Sequence, residues 1–152
     1  MTAQKVSFFN SRGLKIVGIL EGEGDKCVII SSHFTGFKEV KHYFNLAKTL
    51  SDEGICALRF DFSDCIGESE GKCEEMSVTN QTIDIISAVD FLEGKGICTV
   101  GIMGHSLGGL VAINAAANDN RIKALVSAAA PAKLEWVHSL KKRKLNGRKM
   151  VT

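Results

Sequence analysis

The stretch VGIMGHSLGGLVAINAAA, Val100 to Ala117, decides how this chain folds. An apolar run of strand length enters Gly104-His105-Ser106-Leu107-Gly108, and an apolar run of helical length leaves it without a gap. A strand that becomes a helix within a few residues forces its turn residue to an unusual φ/ψ. Glycines two positions to either side remove side chains that would strike neighbouring backbone. The apex residue, Ser106, is expected to stand above the carboxyl edge of a sheet, at a helix N-terminus that favours developing negative charge. Other glycine motifs do not fit. Gly104 and Gly109 have phosphate-loop spacing, but Leu110-Val111 stand where Lys-Ser/Thr is needed, and no G-x-G-x-x-G follows any strand.

Outward from this turn the chain alternates. KVSFFN and LKIVGILEG, separated by Ser11-Arg12-Gly13, read as an N-terminal hairpin. DKCVIISS and ICALRFDF are continuous apolar runs, the mark of strands buried on both faces. Between them Val40, Tyr43, Phe44, Ala47 and Leu50 recur at helical spacing, with Gly54 as the stop signal. Val78, Thr82, Ile85, Ile86, Val89 and Leu92 give a second helix, closed by Gly94 and Gly96. ICTVGIM, the helix from Leu107 and IKALVSAAA complete a hairpin followed by β-α-β-α-β-α-β. That order predicts a three-layer α/β/α sandwich: a mostly parallel sheet with an N-terminal antiparallel hairpin and helices on both faces. Residues 1–132 form the expected core.

Composition bounds the rest. At 152 residues with 24% charged residues and one proline, the chain is an ordinary globular domain. Seven of its 19 basic residues fall in 133–152, including Lys141–Lys144, and read as a solvated tail, the start of a cap or a following helix. Nothing there interleaves aromatics with charge, so no nucleic-acid partner is expected. No apolar run reaches membrane length and no secretory signal is visible, so a membrane partner is not expected either. Among five cysteines, Cys27, Cys56 and Cys98 begin strand-like runs and read as small core residues. Cys65 and Cys73 lie in a loop without zinc spacing, so no metal and no cofactor are expected. A reducing, cytoplasmic compartment suits this usage.

Gly-x-Ser-x-Gly between strand and helix is the nucleophile-elbow arrangement. With SSHFTGFKE, LRFDFSDCIGESEG and GIMGHSLGG at their intervals, the chain resembles the N-terminal portion of an α/β-hydrolase, of the serine aminopeptidase-like and feruloyl-esterase-like branch. The resemblance covers residues from about 5 to about 135. It implies an acyl-enzyme on Ser106, elbow glycines Gly104 and Gly108, and an oxyanion hole from the backbone N–H groups of Phe34 and Leu107. It also implies a small-molecule acyl substrate: a carboxylic ester, thioester or amide. Two departures stand out. Ser32-His33 occupy the place of the family's His-Gly, so His33 reads as a loop brace. The family's Asp-x-x-Gly-x-Gly-x-Ser becomes Asp61-Phe62-Ser63-Asp64-Cys65-Ile66-Gly67-Glu68-Ser69, without the first glycine and with one extra residue, and reads as a structural loop shaping one wall of the site. His105 resembles the histidine that packs beside the family's turn.

The partners of Ser106 should follow it in the order acid, then histidine. Asp119 lies at the far end of the helix that starts at Ser106. Glu135 and His138 stand about one helical turn apart with no strand between them. No triad acid or histidine is therefore expected in this chain, which reads as a truncated hydrolase. A complementing chain, or self-association through an open sheet edge, would then be its partner. Two other readings stay open: a non-catalytic binding protein that keeps the front of the fold, and a plain α/β domain with a coincidental serine turn.

Overall fold

A computed structural model of the chain describes residues 3–132. The basic tail, with Glu135 and His138, lies outside the described residues. The elements are β1 (Ala3–Phe9), β2 (Lys15–Glu21), β3 (Lys26–Ser31), α1 (Lys41–Asp52), β4 (Cys56–Phe60), α2 (Val78–Glu93), β5 (Thr99–His105), α3 (Leu107–Asn118) and β6 (Ile122–Ala128), with a short 3₁₀ turn at Cys73–Glu75. One six-stranded sheet runs β1-β2-β4-β3-β5-β6. The hairpin strands β1 and β2 are antiparallel, and β2 meets β4 antiparallel. The pairs β3–β4, β3–β5 and β5–β6 are parallel. This is the three-layer sandwich expected from the alternation of strand and helix patterns.

The two faces of the sheet are unequal. Phe8, Ile16, Ile29, Leu58, Phe60 and Ile102 meet Ile85, Leu92, Val111 and Ala115 of α2 and α3 in the main core. The opposite face holds a smaller cluster, Ile30 and Ala57 against Tyr43 and Ala47 of α1. β4 shows why both faces must be covered. Leu58 and Phe60 enter the main core, while Arg59 between them is 2% exposed on the α1 side. Its guanidinium donates to the Lys38 carbonyl at 2.7 Å and to Glu21 at 3.1 Å, and lies over the Phe44 ring. Phe44, placed by spacing among the buried positions of α1, is instead half-exposed as the cover of that cation. Cys27 and Cys56 are core residues as expected. Cys98 is exposed because β5 begins only after it, at Thr99.

The loop after β4 wraps around carboxylates. Asp61, fully buried, accepts from the Lys38 N–H at 2.8 Å, from Lys38 Nζ at 2.7 Å and from the Glu68 N–H at 2.8 Å. Asp64 accepts from Arg12, the Lys72 N–H and Asn80. Asp84 of α2 accepts from Asn10 of the hairpin turn and from the N–H and hydroxyl of Ser63. These bonds anchor a loop that also reaches the main core through Phe62 and Cys65. Among the described residues no helix is long and apolar enough to cross a membrane.

Two groups in this network titrate in opposite directions. Hydrogen bonds from Lys38 and Lys5 hold the Glu68 carboxyl down at about 2. Its share of stability is full above the ordinary glutamate value and drains away as pH falls toward 2. Burial pushes Asp84 up, against the pull of its Asn10 and Ser63 hydrogen bonds, so its share is greatest at low pH and is lost as pH rises through the raised value. Glu68→Gln should therefore flatten the loss of stability between pH 4.5 and 2 in urea titrations. The effect should shrink in 1 M salt, because the Glu68 carboxylate and its partner Lys5 are exposed.

Candidate active site

Ser106 sits between β5 and α3 with φ 56° and ψ −121°, a conformation that L-residues rarely adopt. Its N–H donates to the Ala128 carbonyl at 2.8 Å, continuing the β5–β6 ladder, and its own carbonyl accepts from the Gly109 N–H at 2.9 Å. Backbone on both sides thus fixes the apex. Its side chain caps none of the α3 amides, and the residue is partly exposed. Leu107, the first helical residue, has an N–H with no intrahelical acceptor to reach.

The glycines around Ser106 are steric requirements. A Cβ on Gly104 would lie under 3.0 Å from the Gly108 carbonyl and the Gly109 Cα. A Cβ on Gly108 would strike the carbonyl oxygens of Ser31 and Ser32 in the same way. The first turn of α3 therefore rests directly on the end of β3, and Ser31 Oγ donates to the Gly108 carbonyl at 2.9 Å. This contact brings the loop after β3 beside Ser106. In that loop the Gly36 N–H donates to the His33 carbonyl at 2.8 Å, closing a turn with Phe34 and Thr35 at its centre. Thr35 has φ 61°, the left-handed value that a type II turn demands at its third position. Phe34 is partly buried against the main core.

Tyr43 of α1 braces this turn, a role that its apolar spacing concealed. Its hydroxyl accepts from the His33 N–H at 2.8 Å and lies 2.6 Å from His33 Nδ1 and 3.2 Å from His105 Nδ1. It thereby links the loop after β3 to the residue preceding Ser106. Burial raises the Tyr43 pKa, while burial and then His105 and His42 lower that of His33. The described residues that could hold a metal are those three histidines, one ring nitrogen from each lying within 4.8 Å of the others. Asp119 ends α3, where Arg121 grips its carboxylate at 2.6–3.1 Å. Among the described residues no side chain hydrogen-bonds the Ser106 hydroxyl.

The sequence model described as acyl transferase matches residues 21–141. An acyl transferase of Photobacterium leiognathi is 26% identical over 93 residues, covering 61% of this chain and 30% of that protein. Thiohydrolase aneE of Aspergillus aculeatus is 35% identical over 133 residues, covering 83% of this chain and 41% of that protein. Among solved structures, the α/β hydrolase GrgF of Penicillium sp. sh18 superposes with a TM-score of 0.81 at 22% identity, over 99% of this chain and 57% of that one. Est1E of Butyrivibrio proteoclasticus, solved with ferulic acid, gives 0.78 at 27% identity, over 89% and 56%. The chain thus spans under half of these curated relatives and a little over half of these solved chains, and its fold is that of the α/β-hydrolases.

Strain and steric limits make separable predictions. Ser106→Gly relieves the apex and should raise unfolding free energy by about 1–2 kcal/mol, whereas Ser106→Ala keeps its Cβ and should not. Gly108→Ala should lower it by several kcal/mol, because backbone rather than a flexible side chain must yield. Urea titration of the three variants reads all of this.

Proposed function

The chain belongs to the acyl transferase family, and from that premise we propose that Ser106 is the nucleophile of a serine hydrolase or acyltransferase acting on a carboxylic ester, thioester or amide. The conformation of Ser106 carries the reading: a serine held at a strained left-handed apex, on a helix N-terminus, at the carboxyl edge of a parallel sheet. The serine Oγ attacks the acyl carbonyl, its proton passes to a base, and the alcohol, thiol or amine leaves to give an acyl-enzyme. Water or an acceptor nucleophile then takes the acyl group and restores the hydroxyl.

The N–H groups of Phe34 and Leu107 are the oxyanion donors in this reading. The close rest of Gly108 on Ser31 and Ser32 supports it, because that contact sets the Phe34 turn beside the start of α3. The triad acid and histidine lie outside residues 3–132 in this reading, supplied by later chain or by a companion. A companion or a second copy would join at β6, where Leu125 and Val126 are exposed at the sheet edge. The five free cysteines suit a cytoplasmic setting. The same exposed edge favours a second reading, a non-catalytic interaction protein.

A fluorophosphonate separates the two. In the presence of the chain that supplies the histidine, the acyl-transfer reading expects a covalent adduct on Ser106 that Ser106→Ala abolishes, and the interaction reading expects none. Phe34 occupies the second position of its turn, where proline is at home, so Phe34→Pro removes one N–H while keeping the turn. It should slow labelling by about 10²–10³-fold. An unchanged rate would remove Phe34 from the oxyanion hole.

A further inference from the structure

We propose that His33, His42 and His105 form a binding site for one divalent transition-metal ion of the zinc class. No spacing in the sequence announces it. The three imidazoles come from the loop after β3, the first turn of α1 and the last residue of β5.

Geometry carries the assignment. The ring centroids stand 5.7 Å (His33–His42), 5.5 Å (His33–His105) and 5.7 Å (His42–His105) apart, a nearly equilateral triangle. The point equidistant from them is about 3.2 Å from each centroid. A Zn–N bond of about 2.0–2.1 Å, with about 1.1 Å more from ring nitrogen to centroid, asks for the same separation. One nitrogen of each ring already lies within 4.8 Å of the other two. Ligands on a tetrahedral ion sit about 3.4 Å apart, so closing the site needs ring rotation rather than movement of the backbone. His42 is exposed, which provides both that freedom and a path of entry.

Tyr43 supplies the supporting contacts. It lies against the His42 ring at 4.1 Å between centroids, and its hydroxyl meets the Nδ1 atoms of His33 and His105. The hydroxyl already accepts from the His33 N–H, so it accepts from one of these Nδ1–H groups and donates to the other. It thereby fixes one ring in the tautomer that presents Nε2 to a metal, and the second ring shifts its proton on binding. Three imidazoles with no thiolate or carboxylate suit Zn²⁺, Ni²⁺ or Cu²⁺ and leave a fourth position for water or an exogenous ligand. A bound ion would pin α1, the Phe34 turn and the end of β5 to one point. The site does not depend on the chemistry of Ser106.

The test uses the complete chain in reducing buffer, titrated with ZnCl₂ by calorimetry and with CoCl₂ by absorption. One equivalent should bind at micromolar Kd or tighter, and Co²⁺ should show the visible bands of a four- or five-coordinate nitrogen site without thiolate charge transfer. His42→Ala alters an exposed side chain, so the fold should survive, as circular dichroism would verify, while affinity falls at least 10-fold. His138→Ala should leave binding unchanged. Affinity no better than millimolar, equal affinity in His42→Ala, loss of binding in His138→Ala, or a thiolate band would each overturn the assignment.

Discussion

The contact on which the site depends is bare backbone against bare backbone. Gly108 lies on the carbonyls of Ser31 and Ser32 at a separation that excludes even a methyl group, and Gly104 lies as closely under Gly108. Because β3 and β5 are parallel neighbours in register from Lys26↔Thr99 to Ser31↔Gly104, both strands end at the same height. The loops leaving them are then forced into one small space. Tyr43 closes that space from the α1 side with a single hydroxyl. Position in the sheet, glycine at two points and one buried phenol together place Ser106 beside the His33–Gly36 turn.

Backbone strain follows the same edge. The described residues include four non-glycine positions with positive φ: Thr35, Asp64, Ser106 and Ala129. Each lies in the segment immediately after one of the parallel strands β3, β4, β5 and β6. Such conformations cost about 1–3 kcal/mol each and persist only where surrounding contacts over-determine them. Asp64 shows how. With φ 59° it holds a conformation that glycine would adopt freely. Its carboxylate offsets the strain by accepting from Arg12, the Lys72 N–H and Asn80.

This explains what could be read from residues alone. Continuous runs such as CVII and CALRF announced buried parallel strands, and the Gly-x-Ser-x-Gly junction announced the turn, because both are dictated within a few residues of chain. The role of Asp64 is not legible in the sequence, because its carboxylate's hydrogen bonds are set by residues 8 to 52 positions away. Phe44 fell on the apolar stripe of α1, yet its ring covers a buried guanidinium from another element. Tyr43 read as an ordinary core residue, since periodicity reports burial and is silent about a hydroxyl. The histidine triangle was illegible for the same reason: its members are brought together only when β3, α1 and β5 take their places.

The layers end where β6 begins to be exposed. One row across the sheet joins Arg59, Ile30, Met103 and Val126, partners in register, on the α1 side. Exposure rises along it from 2% at Arg59 and 1% at Ile30 to 58% at Val126. The parallel row on the other face, Leu58, Ile29, Ile102 and Leu125, goes from 0% to 41%. A pocket for a small apolar ligand would open one face and leave the other covered. Here both faces open at the same strand, and the strand's outer edge is unpaired among the described residues. Covering the exposed halves of Val126 and Leu125 would contribute about 1 kcal/mol apiece. A further strand with a helix over it would cover both faces and satisfy the edge amides. The exposed rows of β6 thus have the shape of a sheet interior, and they lie one strand from Ser106.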